Sequence, residues 1–553
     1  MRQIDYFTIG LIVLGGVGLA LLLIIWRIRG VKSLERSVKE SFGKPPKSLE
    51  YDLSSIETYY AYKKASSEIG EYIDDITWDD LDMDKVYRRI NVCHTSVGEE
   101  YLYSYLREPQ FELSNLELRE SFISRMSKQP GERFKIQVCL ARLGKVSFNG
   151  VAELIYNSSE RAWKFPFIYE ILAIMPFLCA AIIFIYAPIG VVSLAMSLGV
   201  NIAVIFTAQK KINASLTAIQ YFLSMLKCCG KLLKIESSEL QAESLLRELQ
   251  QPFHIFKPLM RRGIEPQRVT SNNETGVLSE IFKILRLSDI RSYNKIIRVV
   301  VNHRKQFHEL YRKLGEIDLA ICVLSFRESL HFYSTPTFHN ENSINFREIY
   351  HPLLSAPVSN SGVIGNNSII TGSNASGKST FIKTLAINSI LAQTLFTCTA
   401  REYSTRFALI MTSMALRDDI SEGESYFITE IKSLKRIIDK IETVYCICFI
   451  DEILRGTNTT ERIAASAAIL DYLSGKDCLC IAASHDIELA QMLDNSVDNY
   501  HFREHMTDEG MIFDYKIRQG ISNTRNAIKL LRYMEFDNVI VKHAEKLADK
   551  QKE

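Results

Sequence analysis

The chain has 553 residues, with 66 Lys or Arg against 64 Asp or Glu and a formal net charge of +2. That length exceeds what one hydrophobic core supports and implies about three or four domains, and the near-neutral balance leaves any contact with nucleic-acid phosphate to a local basic surface. The 11 cysteines include no Cys-x-x-Cys pair of zinc-site spacing, and they read as buried reduced thiols rather than a disulfide frame or a metal site.

The first element in chain order is an apolar run, Tyr6 to Trp26, 21 residues without a charge. As a helix it crosses the roughly 30 Å apolar layer of a bilayer. Arg27, Arg29 and Lys32 follow at once and place the C-terminal side in the cytoplasm. The run is too long for a signal-peptide core and its charge lies on the wrong side, so residues 1–30 are expected to form an uncleaved transmembrane anchor. Residues 31–74 read as a linker or helical segment. Residues 75–165 carry helical periodicity, including DDITWDDLDMDKVYRRINVCHTSVGEEYLYSYLREP from Asp74 to Pro109. A second uncharged run, Ile171 to Gln209, has 39 residues broken by Ala187-Pro188-Ile189-Gly190. Proline and glycine mark a turn at that point. Residues 166–209 are therefore expected to be a transmembrane hairpin, with spans Phe167 to Tyr186 and Ile189 to Ala208. Arg161 and Lys164 before it, and Lys210 and Lys211 after it, set both ends in the cytoplasm. The expectation is a multi-pass protein of the cell membrane: three transmembrane helices in the lipid bilayer, an outside N-terminus and cytoplasmic soluble parts.

Residues 210–340 read as long helices. One runs from Asn213 to about Leu249, with Leu216, Ile219, Phe222, Leu223, Met225 and Leu226 as its apolar face. A second helical region runs from about Val277 to Phe332, and its middle, Lys283 to Lys313, holds nine Lys or Arg against Asp289 and Glu309. A solvated helix face is the usual meaning of such a run; DNA phosphates and anionic lipid headgroups are the two other readings. From Ile344 onward, within residues 341–553, short apolar runs alternate with helices, the pattern of an α/β sheet domain. Expected strands are Ser368 to Thr371, Tyr445 to Ile450, Leu479 to Ala483 and Met511 to Ile517. Expected helices are Ser379 to Leu395, Phe427 to Lys440 and Glu461 to Leu473.

The first of those strands leads into Gly372-Ser373-Asn374-Ala375-Ser376-Gly377-Lys378-Ser379-Thr380, a full match to G-x-x-x-x-G-K-[ST] between strand and helix. Such a loop turns successive backbone N–H groups toward phosphates at the positive end of the following helix. Lys378 is expected to reach the β and γ phosphates of ATP, and the Ser379 hydroxyl to ligate Mg²⁺. The strand Cys446-Ile447-Cys448-Phe449-Ile450 ends in Asp451-Glu452, which beside a P-loop is the Walker B arrangement. Asp451 would hold Mg²⁺, and Glu452 would orient or deprotonate the attacking water. A third strand ends in Ser484-His485, where His485 can polarise the γ-phosphate or the water. The fold class read from these features is an α/β P-loop NTPase C-terminal domain of ABC-like type, with a mostly α-helical second domain.

These residues resemble the ATPase domain of MutS-type DNA mismatch repair proteins. TGSNASGKSTFIKTLA is similar to the family's P-loop, including Asn374. Arg417-Asp418-Asp419-Ile420, then Glu422-Gly423-Glu424-Ser425-Tyr426-Phe427 and Glu430, are similar to its signature loop. FIDEILRGTNTTE resembles its Walker B and the loop beyond it, through Asp451, Glu452, Arg455, Gly456, Thr457 and Thr459, and IAASHDIEL resembles its histidine segment. Gly520 to Leu547 resembles the C-terminal helices that lock two ATPase domains together. Val92 to Pro109, Glu316-Ile317-Asp318, Pro336-Thr337-Phe338 and Tyr350-His351-Pro352 resemble the family's core and lever boundaries. The resemblance makes residues 75–165 and 210–340 the two parts of a core and lever domain and implies a homodimer with two composite ATP sites, in which Ser425 reaches the partner's γ-phosphate. It also implies double-stranded or branched DNA as a partner. The departures are that the mismatch-reading domain has no counterpart, that Gln250 to Asn273 is short for a DNA clamp, and that Pro357-Val358 stand where the family often has an aromatic for adenine. Two alternatives to a DNA-binding ATPase remain on the sequence: a transporter motor, against which no Leu-Ser-Gly-Gly-Gln precedes Asp451, and a nucleotide-switched recruitment module.

Overall fold

A computed structural model describes residues 18, 25–26, 28–47, 50–68, 70–161, 163, 165, 167–235, 245–261, 284–373, 376–414, 426–454, 457–494, 496–507, 510–521, 534 and 536–550. The span expected at 6–26 lies outside them, apart from residues 18, 25 and 26. The chain divides into two units, each assembled from distant segments: Met1–Glu68 with Asn91–Ser104 and Arg119–Glu328, and Ile69–Ile90 with Tyr105–Leu118 and Ser329–Glu553. All 11 cysteines are free and buried.

The first unit is helical. Its organising contact is a carboxylate at a helix N-terminus. Asp318, on the helix Arg304–Glu328, is fully buried. It accepts from His94 N at 3.1 Å, Thr95 N at 2.8 Å and the Thr95 hydroxyl at 2.7 Å, just before the helix Ser96–Leu106 begins. Negative charge is favourable there because the first amides of a helix have no partner inside it. The approach is so close that a Cβ on Gly98 would lie 2.2 Å from Asp318 Oδ2, which explains the glycine. The core of the unit includes Phe222, Phe256 and Phe307, all buried, with ring centroids 4.5 to 5.9 Å apart.

From this unit projects an apolar pair of helices, Phe167–Ile183 and Ala187–Leu232. The second is continuous over 46 residues, so the apolar run and the helix expected from Asn213 are one element, which ends at Leu232 rather than near Leu249. A separate helix, Leu245–Phe256, follows. Among the described residues one helix is long and apolar enough to cross a membrane, Ala187–Ala208, with 22 residues. Of the three expected spans, it is the one that reaches this length among the described residues: Phe167–Ile183 has 17 residues because the turn before Pro188 ends it early, and the run 6–26 lies outside the described residues but for three positions. The long basic region is two helices, Ser288–Asn302 and Arg304–Glu328, broken at His303.

The second unit carries the sheets. The described strands are, in chain order, β1 Thr337–Phe338, β2 Ile344–Ile349, β3 Asn360–Ile364, β4 Ser368–Thr371, β5 Glu402–Thr405, β6 Leu409–Ser413, β7 Cys446–Asp451, β8 Cys478–Ser484, β9 Asp498–Thr507 and β10 Gly510–Gln519. A small sheet has the order β1-β5-β2-β3, and the main sheet the order β10-β9-β4-β8-β7-β6. The main sheet is parallel except for β10. Its central strands are buried except at Asp451, the last residue of β7, as the unbroken apolar runs of β7 and β8 require of a sheet covered on both faces.

Glu100 gives the first unit a pH dependence. It is buried, accepting from Tyr311 Oη at 2.5 Å and from Asn149 Nδ2, and burial lifts its carboxyl from 4.5 to about 7. The unfolded chain releases this proton near pH 4.5 and the folded chain near pH 7, so the stability due to the neutral acid is complete below 4.5 and is lost as pH rises through 7. The total is on the order of 3 kcal/mol. Thermal melting of the purified chain should show the first unit losing stability from about pH 5 to about pH 8, and Glu100→Gln should flatten that slope. Equal slopes in the two proteins would refute the assignment.

Candidate active site

The parallel register sets the site. In it Thr371 lies opposite Ser484, and Asp451 opposite Ala483, so the carboxyl ends of β4, β8 and β7 finish side by side. Ligands of open α/β sheets bind at such an edge. Here it receives the P-loop, the Asp451-Glu452 pair and His485.

The loop geometry requires its glycines. Gly372 has φ +144°, and a Cβ there would sit 2.9 Å from Ser376 Oγ and 3.1 Å from Phe502 O. Gly377, φ +101°, precedes the helix Lys378–Thr394, and a Cβ there would meet Tyr515 at 3.0 Å. Ser376 Oγ donates to Ser373 O at 2.7 Å, and Ser373 Oγ donates to Glu504 at 3.1 Å. Lys378 is buried, its ammonium donating to Gly372 O at 2.5 Å and Ser373 O at 2.8 Å, inside the curve of the loop. Ser379 and Thr380 are exposed. Asn374, Ala375, Arg455, Gly456 and the whole segment 415–425, with Ser425, lie outside the described residues.

Glu452 takes a left-handed backbone, φ +57°, and its N–H donates to Ala483 O at 3.0 Å, which ties the turn after β7 to β8. A non-glycine residue in that conformation stores strain, and strain of this kind concentrates at functional sites. Leu454 shares it, φ +57°, and its N–H is held by Glu430 from the helix Tyr426–Ile441. Opposite, His485 Nδ1 lies 3.7 Å from Glu452 Oε1, and His485 Nε2 lies 3.5 Å from Asp486 Oδ1. The Glu452 carboxylate is the main reason the imidazole is held above its usual range, although the separation is that of an ion pair rather than a hydrogen bond. Asp486 is fixed by Arg462, whose guanidinium donates to both its oxygens at 2.8 and 3.1 Å. Arg462 comes from the helix Thr459–Ser474, capped by Asn458. The result is a relay of positions, Arg462 to Asp486 to His485 to Glu452, that holds an imidazole and a carboxylate together at one edge.

A cleft of about 280 Å³ adjoins Ser379 and Thr380, with Leu354, Val358, His351 and Tyr515 among its walls. Burial, with Lys383 nearby, lowers His351 to about 4, so it is a neutral wall at physiological pH. Tyr515 lies in a register shift of β10 between Phe513 and Ile517, pinned where Asn360 donates to Tyr515 O and accepts from Ile517 N. A bulge of this kind re-aims one side chain, and an aromatic reaches the cleft from β10 although Val358 supplies none. Nothing in the sequence spacing signals it.

Sequence reasoning also passed over the carboxylates of residues 74–82, which it placed only in a segment of helical periodicity. Asp74 caps the helix Asp75–Asp80 and pairs with Arg436. Asp80 accepts from the Thr412 hydroxyl at 2.6 Å and from Met414 N at 3.0 Å, at the end of β6. Burial raises its carboxyl, against the pull of those hydrogen bonds. Asp82 accepts from Lys383 at 3.0 Å, one turn beyond the P-loop on its helix. Three acids thus brace the edge strand, the helix Tyr426–Ile441 and the P-loop helix. Removing a half-buried acceptor leaves its donors unsatisfied, so Asp80→Ala should destabilise the second unit by about 1–2 kcal/mol in urea unfolding, and Asp80→Asn by clearly less. Equal, negligible losses would sink the bracing role.

The family pattern described as MutS domain V matches residues 368–552. The chain is 30% identical over 254 residues to the human protein named MutS protein homolog 4, an alignment covering 42% of this chain and 27% of that protein. It is 30% identical over 253 residues to the DNA mismatch repair protein MutS of Pseudothermotoga lettingae, covering 44% and 31%, and 25% identical over 268 residues to that of Thermotoga maritima, covering 47% and 33%. The matches thus span about a third or less of those relatives' own length. Residues 368–552, where the P-loop, the Asp451-Glu452 pair and His485 gather at one sheet edge, are thus the part of the chain that matches MutS domain V.

Proposed function

We propose that this chain is a membrane-anchored MutS-type ATPase that acts as a homodimer, its nucleotide state setting the grip of its helical unit on double-stranded or branched DNA. The observation that carries the ATPase reading is the common edge where Lys378, Asp451, Glu452 and His485 end. Lys378 and the loop amides hold the β and γ phosphates. Ser379 and Asp451 offer a hydroxyl and a carboxylate, the hard oxygen donors that suit Mg²⁺, which would neutralise charge on the phosphate oxygens. Glu452 orients and deprotonates the attacking water, and His485, its pKa raised by Glu452, donates to the γ-phosphate or to the water. Leu354, Val358 and Tyr515 seat the base.

Membrane anchoring is supported by the uncharged run 6–26 and by the projecting hairpin. The Ala187–Ala208 helix has a mean hydropathy of 2.2 and is 11% buried. Phe184, Ile185, Met196 and Phe206 are all exposed. Water does not tolerate so large a continuous apolar surface. The ATPase domain then lies on the cytoplasmic side, as the basic flanks of both runs predict. The homodimer and the trans contact of Ser425 rest on the signature-loop resemblance, and the DNA partner on the names of the relatives. A switch that recruits other proteins to the membrane is the second reading, favoured by the short segment between the lever helices.

Glu452→Gln should bind ATP as wild type does and lose turnover by about 10²-fold or more; unchanged turnover defeats the catalytic assignment. Ser425→Ala should bind ATP and no longer dimerise with it in light scattering; dimers that still form with ATP would end the trans role. Duplex or branched DNA should bind with an affinity that falls steeply with salt, and absence of binding at low salt would transfer the reading to the recruitment switch.

A further inference from the structure

The basic helix Ser288–Asn302 offered three readings in the sequence: solvated face, DNA phosphates or anionic lipid. Its placement chooses among them. Ile290, Tyr293, Ile296, Ile297 and Val300 are buried, which turns Arg291, Lys295 and Arg298, spaced i, i+4 and i+7, onto one outward face. That face begins at the base of the apolar hairpin. Arg291 pairs at 2.5 Å with Glu170, in the first turn of Phe167–Ile183. Trp163 stands at the same base, 4.3 Å from Tyr169 and 5.8 Å from Tyr293 between ring centroids. Aromatic rings with basic side chains at the end of an apolar segment are the composition of a headgroup layer. The buried amide of Asn201, on the second hairpin helix, donates to Ile284 O at 3.2 Å and fixes the chain that leads into the basic helix. The stripe is thus held in register with the hairpin.

We propose that Arg291, Lys295 and Arg298 form a collar at the cytoplasmic headgroup layer that binds anionic lipid headgroups. The proposal rests on the membrane reading given above. Along a helix Lys295 is about 6 Å and Arg298 about 10 Å beyond Arg291, within about one Debye length of the surface. Lys295 and Arg298 are exposed and, among the described residues, neither is in an ion pair. Solvated charge alone does not explain a stripe that starts where the hairpin does. A duplex laid along it would press its own phosphates against the same anionic surface, so lipid is the favoured occupant.

The test dilutes the full-length chain from detergent into preformed vesicles, of phosphatidylcholine alone or with about a third phosphatidylserine, and follows flotation. Wild type should float with both and partition more strongly with the anionic vesicles at low salt. Lys295→Gln with Arg298→Gln should keep the neutral-vesicle binding and lose that anionic gain, about 5-fold per residue. The charge-preserving pair Lys295→Arg with Arg298→Lys should retain it. An anionic gain unchanged in the glutamine variant would overturn the collar while leaving the anchoring intact. No flotation with either vesicle would remove the membrane reading itself and the collar with it. Loss of duplex binding by the glutamine variant, with its vesicle gain unchanged, would assign the stripe to nucleic acid instead.

Discussion

The parallel register of β4, β8 and β7 is the constraint on which the site depends. Each strand delivers its chemistry at its last residue, so the P-loop, the Walker B acids and the histidine meet only because Thr371 opposes Ser484 and Asp451 opposes Ala483. A slip of one residue in β7 would turn Asp451 to the other face of the sheet and carry Glu452 with it. The register is protected by burial on both faces, since a slip would exchange the packing of every side chain in Cys446–Asp451 at once. The left-handed turn at Glu452 then completes what the strand cannot do, swinging the next carboxylate back toward β8.

Both units use a second device, a carboxylate, buried in one case and half-buried in the other, that takes backbone amides at the end of an element. Asp318 does so before the helix Ser96–Leu106, and Asp80 does so at the end of β6. Each substitutes for the partners that the element's own ladder cannot supply, and each is costly to remove because the amides stay buried. Apolar packing can be repacked with small losses; these contacts fix position, not merely proximity. The relay from Arg462 through Asp486 and His485 to Glu452 works the same way at the catalytic edge, where angle matters more than depth.

What the sequence discloses follows from how local each interaction is. The P-loop, Asp451, Glu452 and His485 are legible because their chemistry is written in contiguous residues beside apolar strands. The acids at 74, 80 and 82 are not, since their partners at Arg436, Thr412 and Lys383 lie more than 300 residues away and an acidic run has a bland explanation close at hand. Tyr515 is hidden for another reason: its place depends on a bulge, and a bulge shifts the alternation that strand reading relies on. The strand β9, absent from the sequence reading, lies in a stretch, DNYHFREHMT, where polar residues interrupt the apolar pattern. The hairpin's composition was plain, but the length of its first helix was set by where a turn before Pro188 ends it, which composition does not report.

Tethering and nucleotide chemistry reinforce each other in the proposed function. Two ATPase domains that must complete each other's sites pay translational and rotational entropy on meeting. Anchored in one membrane, with a basic collar limiting how the helical unit tilts, they share a plane and a cytoplasmic side before ATP arrives. The encounter then resembles the second step of a linked pair, with an effective concentration set by the tether instead of by the bulk. ATP need supply only the difference between the open and closed pair, a few kcal/mol for a hundredfold shift in population. Hydrolysis removes that difference, and the pair reopens without either copy leaving the membrane.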